Sequence, residues 1–119
     1  MSSRPPQLLM EDIEESMAKI GRYVVGMDLK AFEQDERTVD AVVRNLEIIG
    51  EAANRLPEDF RRRHAQIPWR KIVGLRNRIV HEYFGVDIDM VWSILQNDLP
   101  ALRPGFRKIR EEWSNVEGE

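Results

Sequence analysis

The sequence predicts an all-α fold, an up-and-down bundle of four main helices with short extra ones, and three observations lead there. Apolar residues recur at steps of three and four along most of the chain, and prolines and glycines fall between those runs. No β-alternating run, internal repeat or glycine-rich phosphate loop competes with that reading. At 119 residues, 42% hydrophobic and 33% charged, the chain fits one globular domain, residues 1–119, with a real core. Its ends, residues 1–5 and 115–119, are expected to fray.

Leu9, Ile13, Met17, Ile20, Val24 and Met27 form one stripe of a helix over about residues 6–26, with Pro5 and Pro6 suited to its first turn. After Gly26, residues 28–33 read as a short helical turn capped by Asp28. Glu36 or Thr38 then starts a second long helix whose core stripe is Val39, Val42, Val43, Leu46, Ile49, Ala53 and Leu56, until Pro57 stops it. Gly50, near the middle of that stripe, reads as a packing glycine that admits a neighbouring helix. Ala41, Asn45, Ile48 and Ala52 lie roughly opposite the stripe and are small or apolar, which implies a second interface, with another helix or with a second copy of the chain. Pro57 and Pro68 each start a helix, over 57–64 and over 68 to about 83, and Gly85 closes that unit. A helix over about 88–97 follows, with Ile88, Val91, Trp92 and Leu95 on its apolar face. A last one carries Leu102, Phe106, Ile109 and Trp113, with Pro104 kinking it or marking its start.

Composition narrows function. Without cysteine, disulfides, thiolate zinc sites, iron–sulfur clusters and cysteine nucleophiles are excluded together. No apolar run is long enough for a membrane span, and acidic residues interrupt the N-terminus before a signal-type run forms, so a soluble, cytoplasmic protein is expected. The net charge of −3 hides an asymmetry. Residues 61–81 hold seven Arg and Lys and no acidic residue, which leaves 11 basic against 21 acidic residues elsewhere. An acidic body with one basic segment presents a local anion site without general stickiness to polyanions.

That segment also gathers chemistry. Within eight residues it holds Arg76, Asn77, His81 and Tyr83, and on the wheel of one continuous helix all four share a side, with Arg78 and Glu82 pointing elsewhere. Phosphodiester cleavage fits these side chains: Arg holds a phosphate with charge-assisted hydrogen bonds, His exchanges a proton near neutral pH, and Asn orients either. His64 and His81 are the only histidines, with no clustered carboxylates beside them, so neither a metal nor another cofactor is expected.

The string from Gly74 to Tyr83, preceded by Ile67-Pro68-Trp69 and by the run from Leu46 to Ala52, resembles the HepT group of HEPN-domain ribonuclease toxins. The resemblance covers about residues 7–110, including Val86 to Asp89 and Val91-Trp92. It implies an up-and-down bundle that forms a homodimer, with Arg76, His81 and Tyr83 facing a cleft between subunits and Asn77 beside them. It further implies a metal-independent endoribonuclease toxin. There His81 would be acid or base in attack of the ribose 2′-hydroxyl on the adjacent phosphate, Arg76 would stabilise the developing charge, and Asn77 would orient them. The implied partners are the RNA substrate and an MntA-type nucleotidyltransferase antitoxin, which would transfer AMP to Tyr83. The alternative is a non-catalytic subunit of the same fold that binds a nucleotide or docks the nucleotidyltransferase.

Other residues carry secondary expectations. Arg61, Arg62, Arg63, Arg70 and Lys71 are candidates for guiding the RNA backbone. Glu51 lies near Arg44 and Arg55 on the wheel, which suits a surface ion pair, with a secondary active-site role as the other reading. Trp69 and Trp92 are expected to anchor the core, and His64 to be exposed at the C-terminus of its short helix.

Overall fold

The computed structural model describes residues 4–81 and 85–117, with the side chains of His81, Val116 and Glu117 outside that description. The elements run α1 (Pro6–Tyr23), α2 (Leu29–Gln34), α3 (Glu36–Arg55), α4 (Glu58–Arg63), α5 (Trp69–Val73), α6 (Leu75–Ile79), β1 (Val80–His81), β2 (Gly85–Val86), α7 (Ile88–Ser93) and α8 (Leu99–Glu117). The fold is all-α, as the periodicity requires. Helices α1 and α3 pack along their length, burying Leu9, Ile13, Met17 and Ile20 against the stripe that includes Val42, Leu46, Ile49 and Ala53. Asp28 caps α2 by accepting from the Ala31 N–H at 2.8 Å, and Asp35 caps α3 by accepting from Thr38 N–H at 3.1 Å. That cap holds the Asp35 carboxyl below its ordinary range, because the Thr38 N–H bonds to the ionised form.

The short helices fill the opposite side of α3. A Cβ at Gly50 would lie 3.1 Å from the Ile72 carbonyl oxygen, so the missing side chain lets α5 approach α3. Helix α8 rests on the α4–α5 segment: Trp69 stacks near Phe106, Trp113 near Phe60, and Gly105 faces Ile67. An ion pair between Glu14 and Arg110 ties α8 to α1. Trp69 is buried and donates from its indole nitrogen to the His64 carbonyl at 3.0 Å, while Trp92 packs on Phe32, so both tryptophans are core anchors.

The structure departs from the sequence reading, or decides between its alternatives, in four places. The helix expected over 68–83 is broken at Gly74, which caps α5, and ends at Ile79. Val80 is extended, and the Ile79 carbonyl accepts from the Asp87 N–H at 2.7 Å, a donor supplied by the chain returning from a hairpin. In that hairpin Val80 pairs with Val86 and His81 with Gly85, and Gly85 has a positive φ of 77°. Secondly, the two helices expected after residue 88 form one rod. The N–H of Leu99 bonds to the carbonyl of Ile94, so Ile94–Asp98 is a π-helical turn joining α7 to α8. Pro100 has no N–H and its ring crowds the carbonyl four residues back, which a wider turn relieves. Pro104 lies inside α8 and starts nothing. Thirdly, the second face of α3 is partly spent within the chain, since Asn45 and Ala52 are buried while Ala41 and Ile48 keep some exposure. Finally, His64 is half-buried, its ring 4.6 Å from that of Phe60.

Candidate functional site

Helix α6 presents one face to the core and one to solvent. Leu75 and Ile79 are buried, whereas Arg76 and Asn77 are exposed side by side. The chain then turns directly into β1, so the backbone of His81 follows Arg76 through an extended step and is held by pairing with Gly85. The single helical wheel used to group Arg76, Asn77, His81 and Tyr83 therefore does not apply beyond Ile79. Of that group the structure places Arg76, Asn77 and the His81 backbone; the His81 side chain and Tyr83 lie outside the described residues.

Arg78, set aside by the wheel, has a defined task. Its guanidinium donates to Asp98 at 2.8 Å and touches the Met90 sulfur at 3.8 Å, pinning the end of α6 to the π-helical turn and to α7. Both partners are about one-third exposed, at 32% and 31%, so the pair is partly shielded from solvent and firmer than a rim contact. No local sequence signal gives this pair, because its members are 20 residues apart.

The five candidate RNA-guiding cations separate. Arg61, Arg62 and Arg70 line one open groove of about 450 Å³ over Ile67, Trp69 and Val73. Within it the Arg61 Nε is buried without a partner, and Arg62 bonds to Asp59 at 2.8 Å. Arg63 turns away and sets its guanidinium 5.9 Å from the Phe60 ring centre. Lys71 lies on another side, in a groove of about 260 Å³ shared with Ile72, Leu75, Arg78 and Asp98. Glu51 is exposed, and among the described residues it forms no ion pair, so the pairing with Arg44 or Arg55 is not made. His64 is pushed below the ordinary imidazole range, first by burial and then by Arg63 and Lys108, with Glu112 opposing. Among the described residues no cluster of three or more His, Asp or Glu could hold a metal ion, and no helix is long and apolar enough to cross a membrane.

The family model for HepT-like ribonucleases matches residues 13–109, which span α1 to α8 and so include both the scaffold and the α6–β1 segment. The chain belongs to the HepT-like ribonuclease family. One curated member, from Thermococcus cleftensis and named "Probable ribonuclease HepT", is 40% identical over 102 residues, 86% of this chain and 93% of the relative. Another, "Putative RNase MJ0127" from Methanocaldococcus jannaschii, is 35% identical over 119 residues, 100% of this chain and 96% of the relative. No solved structure gives a significant match. Family membership thus extends over the exposed Arg76 and Asn77 and the hairpin that follows them.

Proposed function

We propose that the chain is an endoribonuclease that cuts RNA without a metal ion, in a cleft formed by two copies of itself. The observation that carries this reading is the match to ribonuclease relatives across the whole α6–β1 segment, where Arg76 and Asn77 stand exposed five and four residues before His81. In the reaction, His81 removes the proton from a ribose 2′-hydroxyl, whose oxygen attacks the neighbouring phosphorus. The 5′-oxygen departs with a proton from solvent or from a protonated imidazole, leaving a 2′,3′-cyclic phosphate. Arg76 holds the non-bridging oxygens as their charge grows, and Asn77 orients the phosphate or the imidazole. Ala41 and Ile48, the part-exposed remainder of the second face of α3, supply apolar surface for pairing two copies.

His81→Ala and Arg76→Ala should each lower cleavage of single-stranded RNA by roughly 10²- to 10⁴-fold. Their circular dichroism and melting should match the wild type, whose activity should persist in EDTA. Activity retained by both variants, or abolished by the chelator, overturns the mechanism.

The same reading makes the chain the toxin of a toxin–antitoxin pair, silenced by an MntA-type nucleotidyltransferase that attaches AMP to Tyr83. A nucleotide there would put negative charge and bulk close to Arg76 in the sequence, opposing the RNA phosphate. Incubation with that enzyme, ATP and Mg²⁺ should add adenylyl mass to the peptide containing Tyr83, and Tyr83→Phe should escape both modification and silencing. Modification of a different residue would refute this route.

A further inference from the structure

Away from α6, the largest of the grooves described lies where the end of α4, the end of α8 and the start of α1 meet, with a volume of about 730 Å³. Its content differs from that of the other grooves. Buried Phe60 forms a floor, and the half-buried rings of His64 and Trp113 both abut it, at 4.6 and 5.9 Å between centres. Arg63 and Lys108 stand exposed at its edge, and among the described residues neither has an ion-pair partner. Among the described residues Glu112 is the one carboxylate in its lining, close enough to His64 to act on its charge. The His64 imidazole and the Trp113 indole make no hydrogen bond with other described residues. Half-buried rings beside cations without an ion-pair partner among the described residues suit a ligand that is itself an alternation of flat rings and anions.

We propose that this groove is a base-stacking subsite for single-stranded RNA, an inference that rests on the ribonuclease reading for its choice of RNA. One nucleobase lies against the Trp113 and His64 rings, the phosphates on either side of it meet Arg63 and Lys108, and Glu112 accepts a hydrogen bond from a base N–H or amino group. Stacking on aromatic faces tolerates any base, while two cations follow the backbone, so the subsite adds affinity and little sequence preference. An acidic peptide could also meet the two cations, but its carboxylate side chains offer no flat face to the rings, which favours RNA as occupant. The segment proposed for cleavage and this groove stand on different elements, α6–β1 and α4 with α8, and among the described residues share no lining residue, so the subsite would add affinity without touching the cut.

The test uses the full chain and a fluorescein-labelled 2′-O-methyl RNA oligonucleotide, which lacks the attacking hydroxyl and therefore reports binding alone by anisotropy. Trp113→Leu should weaken binding by roughly 5- to 150-fold, the range of one lost base stack. Lys108→Glu, an exposed position with no packing to lose, should also weaken it and steepen no melting transition. Trp113→Phe should restore most of the affinity, and an oligonucleotide with abasic positions should bind weakly and respond little to Trp113→Leu. Wild-type affinity in both Trp113→Leu and Lys108→Glu overturns the subsite, whether or not the protein cuts RNA. Weakened binding in a protein that never cuts RNA keeps the subsite and removes the ribonuclease reading.

Discussion

The α1–α3 pair and the segment from α4 to β2 are built on opposite plans. In the first, two long helices carry unbroken apolar stripes, and the turn between them is set by Asp28 capping α2 and Asp35 capping α3; in the second, helices of five or six residues end at Gly74 and Ile79 and give way to a hairpin of two-residue strands. The acid-free basic run of residues 61–81 lies in the second. A stripe that repeats for five turns fixes a scaffold with little need of polar contacts, whereas short pieces joined by tight turns can point adjacent cations in different directions. The separation of Arg61 and Arg70 from Arg63 and from Lys71 is the direct result.

The largest expected effect on stability lies in the scaffold. Leu46 is fully buried on α3, and Leu46→Ala should cost about 2–5 kcal/mol in urea unfolding while leaving cleavage per folded molecule unchanged. An equal loss of cleavage would show that the scaffold and the cutting segment are less separable than their plans suggest. A smaller effect, but one aimed at the cutting segment, is expected at Gly85. A Cβ there meets nothing within 4 Å, so Gly85→Ala would be opposed mainly by the positive φ of 77°, at about 1–2 kcal/mol. Because Gly85 pairs with His81, RNA cleavage should fall further than the melting temperature does.

The smallest effect concerns His64, and its sign follows from its surroundings. Burial lowers the folded-state pKa below the ordinary 6.5, so between the two values the unfolded chain holds more protons than the folded one. His64 therefore supports the fold fully above about pH 6.5 and opposes it progressively as pH falls below that value. Melting temperatures of the wild type and His64→Gln, compared at pH 7.5 and 5.5, should show the wild type losing more on acidification. Equal losses would mean that the imidazole is as free in the folded chain as in the unfolded one.

How much of this was legible in the sequence differs between the same two regions. The stripes of α1 and α3, the Asp28 cap and the role of Gly50 follow from spacing and local chemistry, and the structure bears them out. The break in the helix expected over 68–83 was not legible, because residues 75–79 are sound helix formers and the donor that closes the Ile79 carbonyl comes from Asp87. The Arg78–Asp98 pair was hidden for a related reason, since its partner is set by the π-helical turn and not by any spacing along one helix. Arg76 and Asn77 were legible as exposed polar neighbours, and so was their membership in a ribonuclease family; the groove around Trp113 was not, because Phe60, His64 and Trp113 come together only in the fold.

The rod from Ile88 to Glu117 is about 45 Å long at 1.5 Å per residue, close to the 49 Å longest dimension of the molecule. Its single wide turn at Ile94–Asp98 holds one residue more than an α-turn, and so acts as slack for changes in length. Deleting the exposed Gln96 would remove the extra residue and keep the faces of α7 and α8 in register, at the cost of bringing the Pro100 ring back against the carbonyl four residues before it, about 3 kcal/mol. The same deletion at Arg103, inside α8, meets no slack. It would rotate everything beyond by about 100°, carrying Phe106 and Ile109 out of the core. Loss of a single residue from this helix is accordingly tolerated better between Ile94 and Asp98 than within α8, and better still where residue 100 is not proline.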